Sequence, residues 1–191
     1  MNRTVVAALI LTWIPVLSAQ RPASQRINSH QQPIPVTVCE LAQNPAEYNH
    51  KLVRVTALAS HGFEDFSLFD PACLPQSPDF AVWIMYGGDL ESGTIYCCPG
   101  EGRKDAKKGN LEVEGIQVPL SKDSVLRQFL TMLKKKSPTK VRATLVGVFF
   151  SGEKREYKGH TYWEGYGHMG CCSLLAIQRV QSVEPFANSA P

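Results

Sequence analysis

The sequence has 191 residues and lacks the motifs that identify the commonest enzyme classes. It contains no HExxH zinc motif, no GxSxG nucleophile elbow, no GxxxxGK phosphate loop and no CxxC redox pair. Metalloproteases, α/β-hydrolases, P-loop proteins and thioredoxin-like enzymes each depend on one of these patterns. The sequence therefore identifies no catalytic residue and no cofactor, and we favour a protein that is not an enzyme.

A large excess of one charge is also missing. Lysine and arginine total 20 against 17 aspartate and glutamate residues, which gives a formal net charge of +3. Nucleic-acid-binding domains carry a clustered basic face and a high pI, so this balance argues against a nucleic-acid partner. The one basic run, 134–136, is predicted to end a helix, where the helix dipole favours cations. An anion-binding patch is the alternative interpretation.

Long hydrophobic runs are limited to the N-terminus. Arg3, the apolar stretch 5–16 and a small-residue cleavage site before Gln20 have the layout of a signal peptide. The apolar stretch is shorter than the roughly 20 apolar residues that a transmembrane helix needs. A retained N-terminal anchor is the alternative. We expect an exported protein, periplasmic or extracellular, that loses residues 1–19 and then has no stable membrane insertion.

Six cysteines are present, two of them single and four in adjacent pairs. They are Cys39, Cys73, Cys97, Cys98, Cys171 and Cys172. Export favours disulfides. The preferred pairing joins Cys39 to Cys73 and links the two adjacent pairs to each other, because a bond between neighbours strains the intervening peptide. The alternative is a zinc site in which four thiolates act with His168 nearby, and adjacent ligands fit tetrahedral geometry poorly.

The segment 51–70 predicts two strands joined by a turn at His61. Val53 and Val55 belong to a period-2 alternation that is typical of a strand. The run 81–86, AVWIMY, is apolar throughout, which predicts a third strand buried on both faces.

The clearest helix is predicted for residues 122–136, with one apolar face at helical spacing. That face consists of Val125, Leu126, Phe129, Leu130, Met132 and Leu133. Candidate caps for its start are Ser121, Asp123 and Ser124. A strand follows at 140–151, where Gly147 predicts a bulge or bend, and the last strand is predicted for 174–183.

The predicted fold is mainly β: a five-stranded OB-fold-like Greek-key barrel with one helix between strands three and four. Residues 36–186 form this single domain, with a disulfide-tethered insertion at 89–120 that includes a small hairpin at 111–118. A flexible lead-in, 20–35, precedes the domain, and a short tail, 187–191, follows it.

The segment VCELAQNPAEYNHKLVRVTALAS combines a short capped turn, an Asn-Pro-x-x-Tyr pattern and a Lys-Leu-Val-x-Val strand. It resembles the opening of OB-fold domains in small exported bacterial proteins. GFEDFSLFDPAC, and GYGHMG followed later by LLAIQRVQSV, are similar to other parts of that group. The resemblance covers most of residues 36–184 outside the insertion. It implies the fold and export, and it implies no catalytic residues.

Two loops hold the candidate ligand-binding residues. Ligands of OB-folds usually contact strands two and three and the loops after strands one and four, which here are 61–65 and 152–170. The candidates are His61, Glu64, Asp65, Trp163, Tyr166 and His168. Structural alternatives stay open, since acidic side chains can accept hydrogen bonds within a turn, aromatic rings can cover a barrel end, and His168 can bond a backbone carbonyl.

Two functions follow from these residues. The first is an exported binding or interaction module whose partner is a protein segment, an oligosaccharide or a small molecule. The second is a metal-dependent, hydrolase-type enzyme with histidine and carboxylate ligands. Its candidate ligands are His61, Glu64, Asp65 and His168. The first is preferred because no recognised metal-ligand spacing is present.

Overall fold

The computed structural model describes residues 25–26, 31–62, 65–73, 81–87, 110–133 and 139–186. Within them the strands are β1 (Gln25–Arg26), β2 (Ile34–Val36), β3 (Leu52–His61), β4 (Phe66–Phe69), β5 (Val82–Met85), β6 (Asn110–Val113), β7 (Ile116–Pro119), β8 (Thr139–Phe150), β9 (Glu153–Tyr157), β10 (His160–Glu164) and β11 (Ser173–Pro185). The helices are α1 (Val38–Gln43), α2 (Pro45–Tyr48) and α3 (Ser124–Leu133), with 3₁₀ turns at Pro71–Cys73 and His168–Gly170. The predicted signal peptide, Glu64, the Cys97-Cys98 pair, the lysine run 134–136 and the tail lie outside the described residues.

Five strands close into a barrel in the order β3-β4-β5-β11-β8, and β8 pairs with β3 again. β5 runs parallel to β11, with Val82 opposite Ser173. The other neighbouring pairs of the barrel are antiparallel. In chain order these are strands one to five, and α3 lies between the third and the fourth. The predicted OB-fold-like barrel is therefore confirmed, and β6 and β7 form the hairpin expected within the insertion.

Two short strands lie where the sequence predicted a flexible lead-in. β1 pairs in parallel with β7, and β2 pairs in parallel with β3, with Val36 opposite Val55. β4 pairs only with the second half of β3, so β2 supplies partners for the backbone groups that the first half would otherwise leave open. Residues 25–26 and 34–35 of the predicted lead-in are therefore paired with strands of the domain.

Gly147 lets β8 and β11 approach each other closely. A Cβ atom added at Gly147 would lie 2.2 Å from the carbonyl oxygen of Ala176 on β11. The register of this strand pair shifts at Gln178, which makes a β-bulge. The freed carbonyl of Gln178 accepts a hydrogen bond from the N–H of Ser121 at 2.7 Å. The predicted irregularity at Gly147 therefore reflects a close backbone contact next to a bulge.

α3 packs against the barrel through one apolar side. Leu126, Phe129 and Leu133 are buried, and the helix contacts β8 and β11. The Asp123 carboxylate accepts a hydrogen bond from the N–H of Leu126 at 2.9 Å and so caps the helix. The predicted helix and one of its three candidate caps are confirmed.

A capping box fixes the start of α1. The N–H and hydroxyl of Thr37 donate to the Glu40 carboxylate at 2.7 and 2.8 Å, and the Glu40 N–H donates to the Thr37 hydroxyl at 3.1 Å. These bonds from the Thr37 backbone and hydroxyl lower the pKa of Glu40. Cys39 of this helix forms a disulfide with Cys73, as predicted, with a Cα–Cα distance of 5.1 Å.

Large apolar side chains fill the barrel, among them Phe66, Ile84 and Phe149. Tyr86 lies at the margin of this core, edge-on to Phe66 with ring centroids 5.9 Å apart. Burial raises the pKa of Tyr86 to about 12. In the part of the chain described above, no helix is both long and apolar enough to cross a bilayer.

Candidate functional site

Asp65 organises the loop after the first barrel strand. Its carboxylate accepts hydrogen bonds from the hydroxyls of Ser60 on β3 and Ser67 on β4. Its carbonyl accepts the N–H of Gly62 at 2.7 Å. The two serines are only 6% and 7% exposed, and buried hydroxyls need hydrogen-bond partners. Asp65 therefore holds the turn together, which favours the hydrogen-bonding interpretation of this residue over a ligand-binding one.

His61 ends β3 at the same turn and is half-buried. Its ring stands edge-on against Phe66, with ring centroids 5.2 Å apart and an interplanar angle of 82°. Because Phe66 is 1% exposed, this contact places His61 over the edge of the core.

The loop after the fourth barrel strand contains the antiparallel hairpin β9–β10. Tyr157 pairs with His160, and Tyr162 pairs with Arg155, so these side chains share one face. Tyr157 is 63% exposed and Tyr162 is 47% exposed. We call this the tyrosine face; its members are Glu153, Arg155, Tyr157, His160, Tyr162 and Glu164.

An ion-pair network fixes the middle of the tyrosine face. The Arg155 guanidinium binds Glu153 at 3.0 Å and Glu164 at 2.6 Å. The three side chains are about half exposed or more, so each pair contributes little to stability. The network nevertheless positions the Arg155 guanidinium beside Tyr162, which is its partner on the neighbouring strand.

Residues 165–172, which we call the cover segment, fold back over the outer face of the barrel. Tyr166 and Cys172 exchange both backbone hydrogen bonds, at 2.7 and 3.0 Å. Gly167 has φ of +76°, and a Cβ atom added there would lie 2.4 Å from the ring of Trp83. The glycine is therefore required both by its backbone conformation and by its contact with the indole.

Trp83 was not among the predicted site residues. Ser67 on β4 pairs with Trp83 on β5, so the two side chains share one face of the sheet. Leu68, the residue after Ser67, points into the core, and successive side chains of a strand point to opposite faces. Trp83 therefore lies on the outer face of these strands. That face is the usual ligand surface of an OB-fold, yet Trp83 is 4% exposed because the cover segment lies on it. The two predicted loops thus border the same strand pair, through Asp65–Ser67 at one side and Gly167–Trp83 at the other.

A second unpredicted cluster joins the insertion hairpin to the barrel. The Glu114 carboxylate lies 2.6 Å from Nε2 of His50 and accepts a hydrogen bond from the Tyr166 hydroxyl. The rings of His50 and Tyr166 both pack against Phe150, with centroid distances of 5.4 and 6.1 Å. The predicted site residue Tyr166 therefore anchors the cover segment to Glu114, which lies 52 residues before it in the sequence.

The structure corrects the predicted cysteine pairing. Cys171 and Cys172 form a disulfide with each other, so they are not linked to the Cys97-Cys98 pair, which lies outside the described residues. The general argument against bonds between neighbours fails here because the tight turn after the 3₁₀ helix brings the two sulfur atoms together.

The predicted site residues do not gather into one cluster. His61 and Asp65 lie at the first turn, while Tyr166 and His168 lie in the cover segment. Trp163 pairs with Lys154 in the hairpin. Among the side chains that the structure describes, no group of three or more histidine, cysteine, aspartate or glutamate residues could hold a metal ion. Because Glu64 lies outside the described residues, the interpretation as a metal-dependent enzyme stays a prediction.

No protein-family model, no curated protein and no solved structure matches this chain. The resemblance to exported bacterial OB-fold proteins accordingly stays a prediction from the sequence.

Proposed function

We propose that this protein is an OB-fold-like binding module that recognises its ligand through the tyrosine face. The ligand is a glycan or a protein segment. The observation that carries this proposal is the exposure of Tyr157 and Tyr162 on one face of the β9–β10 hairpin.

The distribution of exposed apolar groups supports the choice of this face. The large hydrophobic side chains that are exposed in the described residues are Ile34, Tyr157, Tyr162 and Met169. Three of these four lie in the loop between the last two barrel strands, which is a ligand loop of OB-folds. Tyrosine offers a rigid apolar ring and a hydroxyl, so it suits both sugar faces and peptide side chains.

The charged groups between the rings add polar recognition. Arg155 is held by Glu153 and Glu164, so its guanidinium is fixed before a ligand arrives. A fixed side chain loses less conformational freedom on binding than a mobile one. The tyrosine face thereby combines stacking surfaces with a positioned donor.

We further propose that the protein acts after export. The signal-peptide layout of residues 1–19 supports export, and the two disulfides among the described residues suit an oxidising compartment. N-terminal sequencing of the secreted protein should begin at Gln20, and retention of the leader in a cell-bound form would contradict this proposal.

The binding proposal is tested with a glycan array and a synthetic peptide library. Tyr157→Ala combined with Tyr162→Ala should weaken any probe bound by the wild type at least about tenfold, because aromatic anchors each contribute on the order of 1–2 kcal/mol at binding surfaces. Glu156→Ala is the matched control, since Glu156 is exposed on the opposite face of the same hairpin.

Two outcomes count against the proposal. Bound probes that keep their affinity in the double tyrosine variant would show that the ligand contacts another surface. A screen in which the wild type binds no probe would contradict the choice of glycans and peptides as ligands.

A further inference from the structure

The fold holds the two disulfides of the described residues in different ways. Cys39–Cys73 joins cysteines separated by 34 residues, and Cys73 is 4% exposed. Cys171–Cys172 joins neighbours, and Cys171 is exposed although Cys172 is buried. A thiolate can attack a disulfide only where it reaches a sulfur atom. Cys171 offers this access.

The Cys171–Cys172 bond can open without opening the barrel. A disulfide stabilises a fold chiefly by restricting the unfolded chain, and this effect grows with the number of residues that it encloses. Cys171 and Cys172 enclose none. β11 begins after them at Ser173, so reduction of the pair breaks no hydrogen bond between barrel strands.

The pair is instead coupled to the cover segment. Cys172 exchanges both backbone hydrogen bonds with Tyr166, and the Cys171 N–H donates to the carbonyl of His168 at 3.2 Å. These bonds close the turn that holds Gly167 on Trp83. Loss of the disulfide frees the two cysteine side chains at the base of this turn, which the covalent ring otherwise fixes.

We propose that Cys171–Cys172 is a redox-active site that exchanges with dithiols, and that its reduction loosens the cover segment over Trp83. A thiolate of the dithiol attacks Sγ of Cys171, the bond to Cys172 breaks, and the Cys172 thiolate takes up a proton. The second thiol of the reductant then displaces Cys171, which leaves as a thiolate and is protonated. The dithiol ends as a cyclic disulfide, and the protein carries two thiols.

This inference goes beyond the proposed binding function and does not depend on it. The test uses the full chain, titrated with dithiothreitol under native conditions, alkylated at each step and mapped by mass spectrometry. Cys171 and Cys172 should be labelled at a dithiothreitol concentration at least tenfold below that needed for Cys39 and Cys73. Far-ultraviolet circular dichroism should stay unchanged at that point, since the barrel remains closed.

Hydrogen exchange measures the effect on the cover segment. The peptide that contains residues 165–172 should exchange several-fold faster in the selectively reduced protein, and reoxidation should restore the slow rate. Peptides of β3 and β8 serve as the internal control, because their hydrogen bonds lie within the barrel.

Three results would overturn the inference. The first is reduction of Cys39–Cys73 before or together with the adjacent pair. The second is a non-reduced map in which Cys171 or Cys172 is linked to Cys97 or Cys98. The third is exchange across residues 165–172 that does not change on reduction. The wild-type titration decides all three, so the outcome does not depend on whether a cysteine variant folds.

Discussion

The Glu114 carboxylate binds the imidazole of His50 at 2.6 Å and thereby fastens the tip of the insertion hairpin to the base of the first barrel strand. Glu114 and Gly115 form the two-residue turn between β6 and β7, with φ values of +49° and +78°. Positive φ at both positions is typical of a type I′ turn, in which Asn-Gly is preferred. Glutamate is therefore a costly residue at this turn, and its contacts with His50 and Tyr166 give a physical reason for its presence.

The variant Glu114→Asn tests the attachment of the β6–β7 hairpin to the barrel separately from the formation of its turn. Asparagine suits the turn backbone, so we expect the β6–β7 hairpin to persist, while the shorter side chain no longer reaches His50 or Tyr166. Because the contact between His50 and Glu114 is about half exposed, the free energy of unfolding should fall by only about 1 kcal/mol. Nuclear magnetic resonance should show changes at His50 and Tyr166 and retained cross-strand contacts in the hairpin.

Glu112→Gln on the same hairpin is the matched control for this variant and should leave the His50 and Tyr166 signals in place. Loss of the hairpin itself in Glu114→Asn would contradict the assignment of Glu114 as an anchor that is separable from the turn.

Gly147→Ala should be strongly destabilising. Its Cβ would lie 2.2 Å from the backbone oxygen of Ala176, so β8 and β11 must move apart. We expect a loss of about 3 kcal/mol in the free energy of unfolding, measured by urea denaturation. Gly159→Ala is the comparison, because a Cβ there meets nothing within 4 Å although φ is +80°; its cost should be about 1 kcal/mol. Equal losses in the two variants would show that the strand contact is not the cause.

Stability should fall at high pH because of Tyr86. Burial raises the pKa of this hydroxyl to about 12 from its ordinary value of 10.0. Between these values the unfolded chain loses the proton while the folded protein keeps it, so stability decreases as pH rises. The loss across this range should be roughly 2–3 kcal/mol. Urea denaturation at several pH values from about 9 to about 12 measures how steeply the free energy of unfolding falls with pH.

Tyr86→Phe keeps the ring and removes the ionising hydroxyl, so its stability should depend less on pH across the same window. An unchanged slope in this variant would assign the alkaline effect to another group.

Most of the fold could be predicted from local sequence patterns. The alternation around Val53, the helical spacing of Leu126 and Phe129, and the glycine in the fourth strand are each encoded within a few residues, and all are confirmed. The apolar run 81–86 correctly predicted a strand buried on both faces. What the run could not show is that Gly167, far along the chain, covers Trp83.

The candidate site was harder to predict because its contacts join distant segments. Nothing near Glu114 in the sequence marks it as a partner of His50, since the contact exists only once the insertion hairpin folds against the barrel. Asp65 was predicted as a candidate ligand-binding residue, whereas its hydrogen-bond partners Ser60 and Ser67 were not predicted. The pairing of Cys171 was wrong because a general rule about neighbouring cysteines was applied to a turn whose geometry depends on Gly167 and Gly170.

The parallel pair of β5 and β11 also determines when the barrel can form. Val82 meets Ser173, and the intervening chain includes the insertion, the helix and the fourth strand. Contacts between such distant segments slow folding, because the long loop must close before they form. Until β11 is in place the folding chain therefore holds an open sheet, in which β5 is paired with β4 on one edge only, and closure of the barrel is a late event in folding.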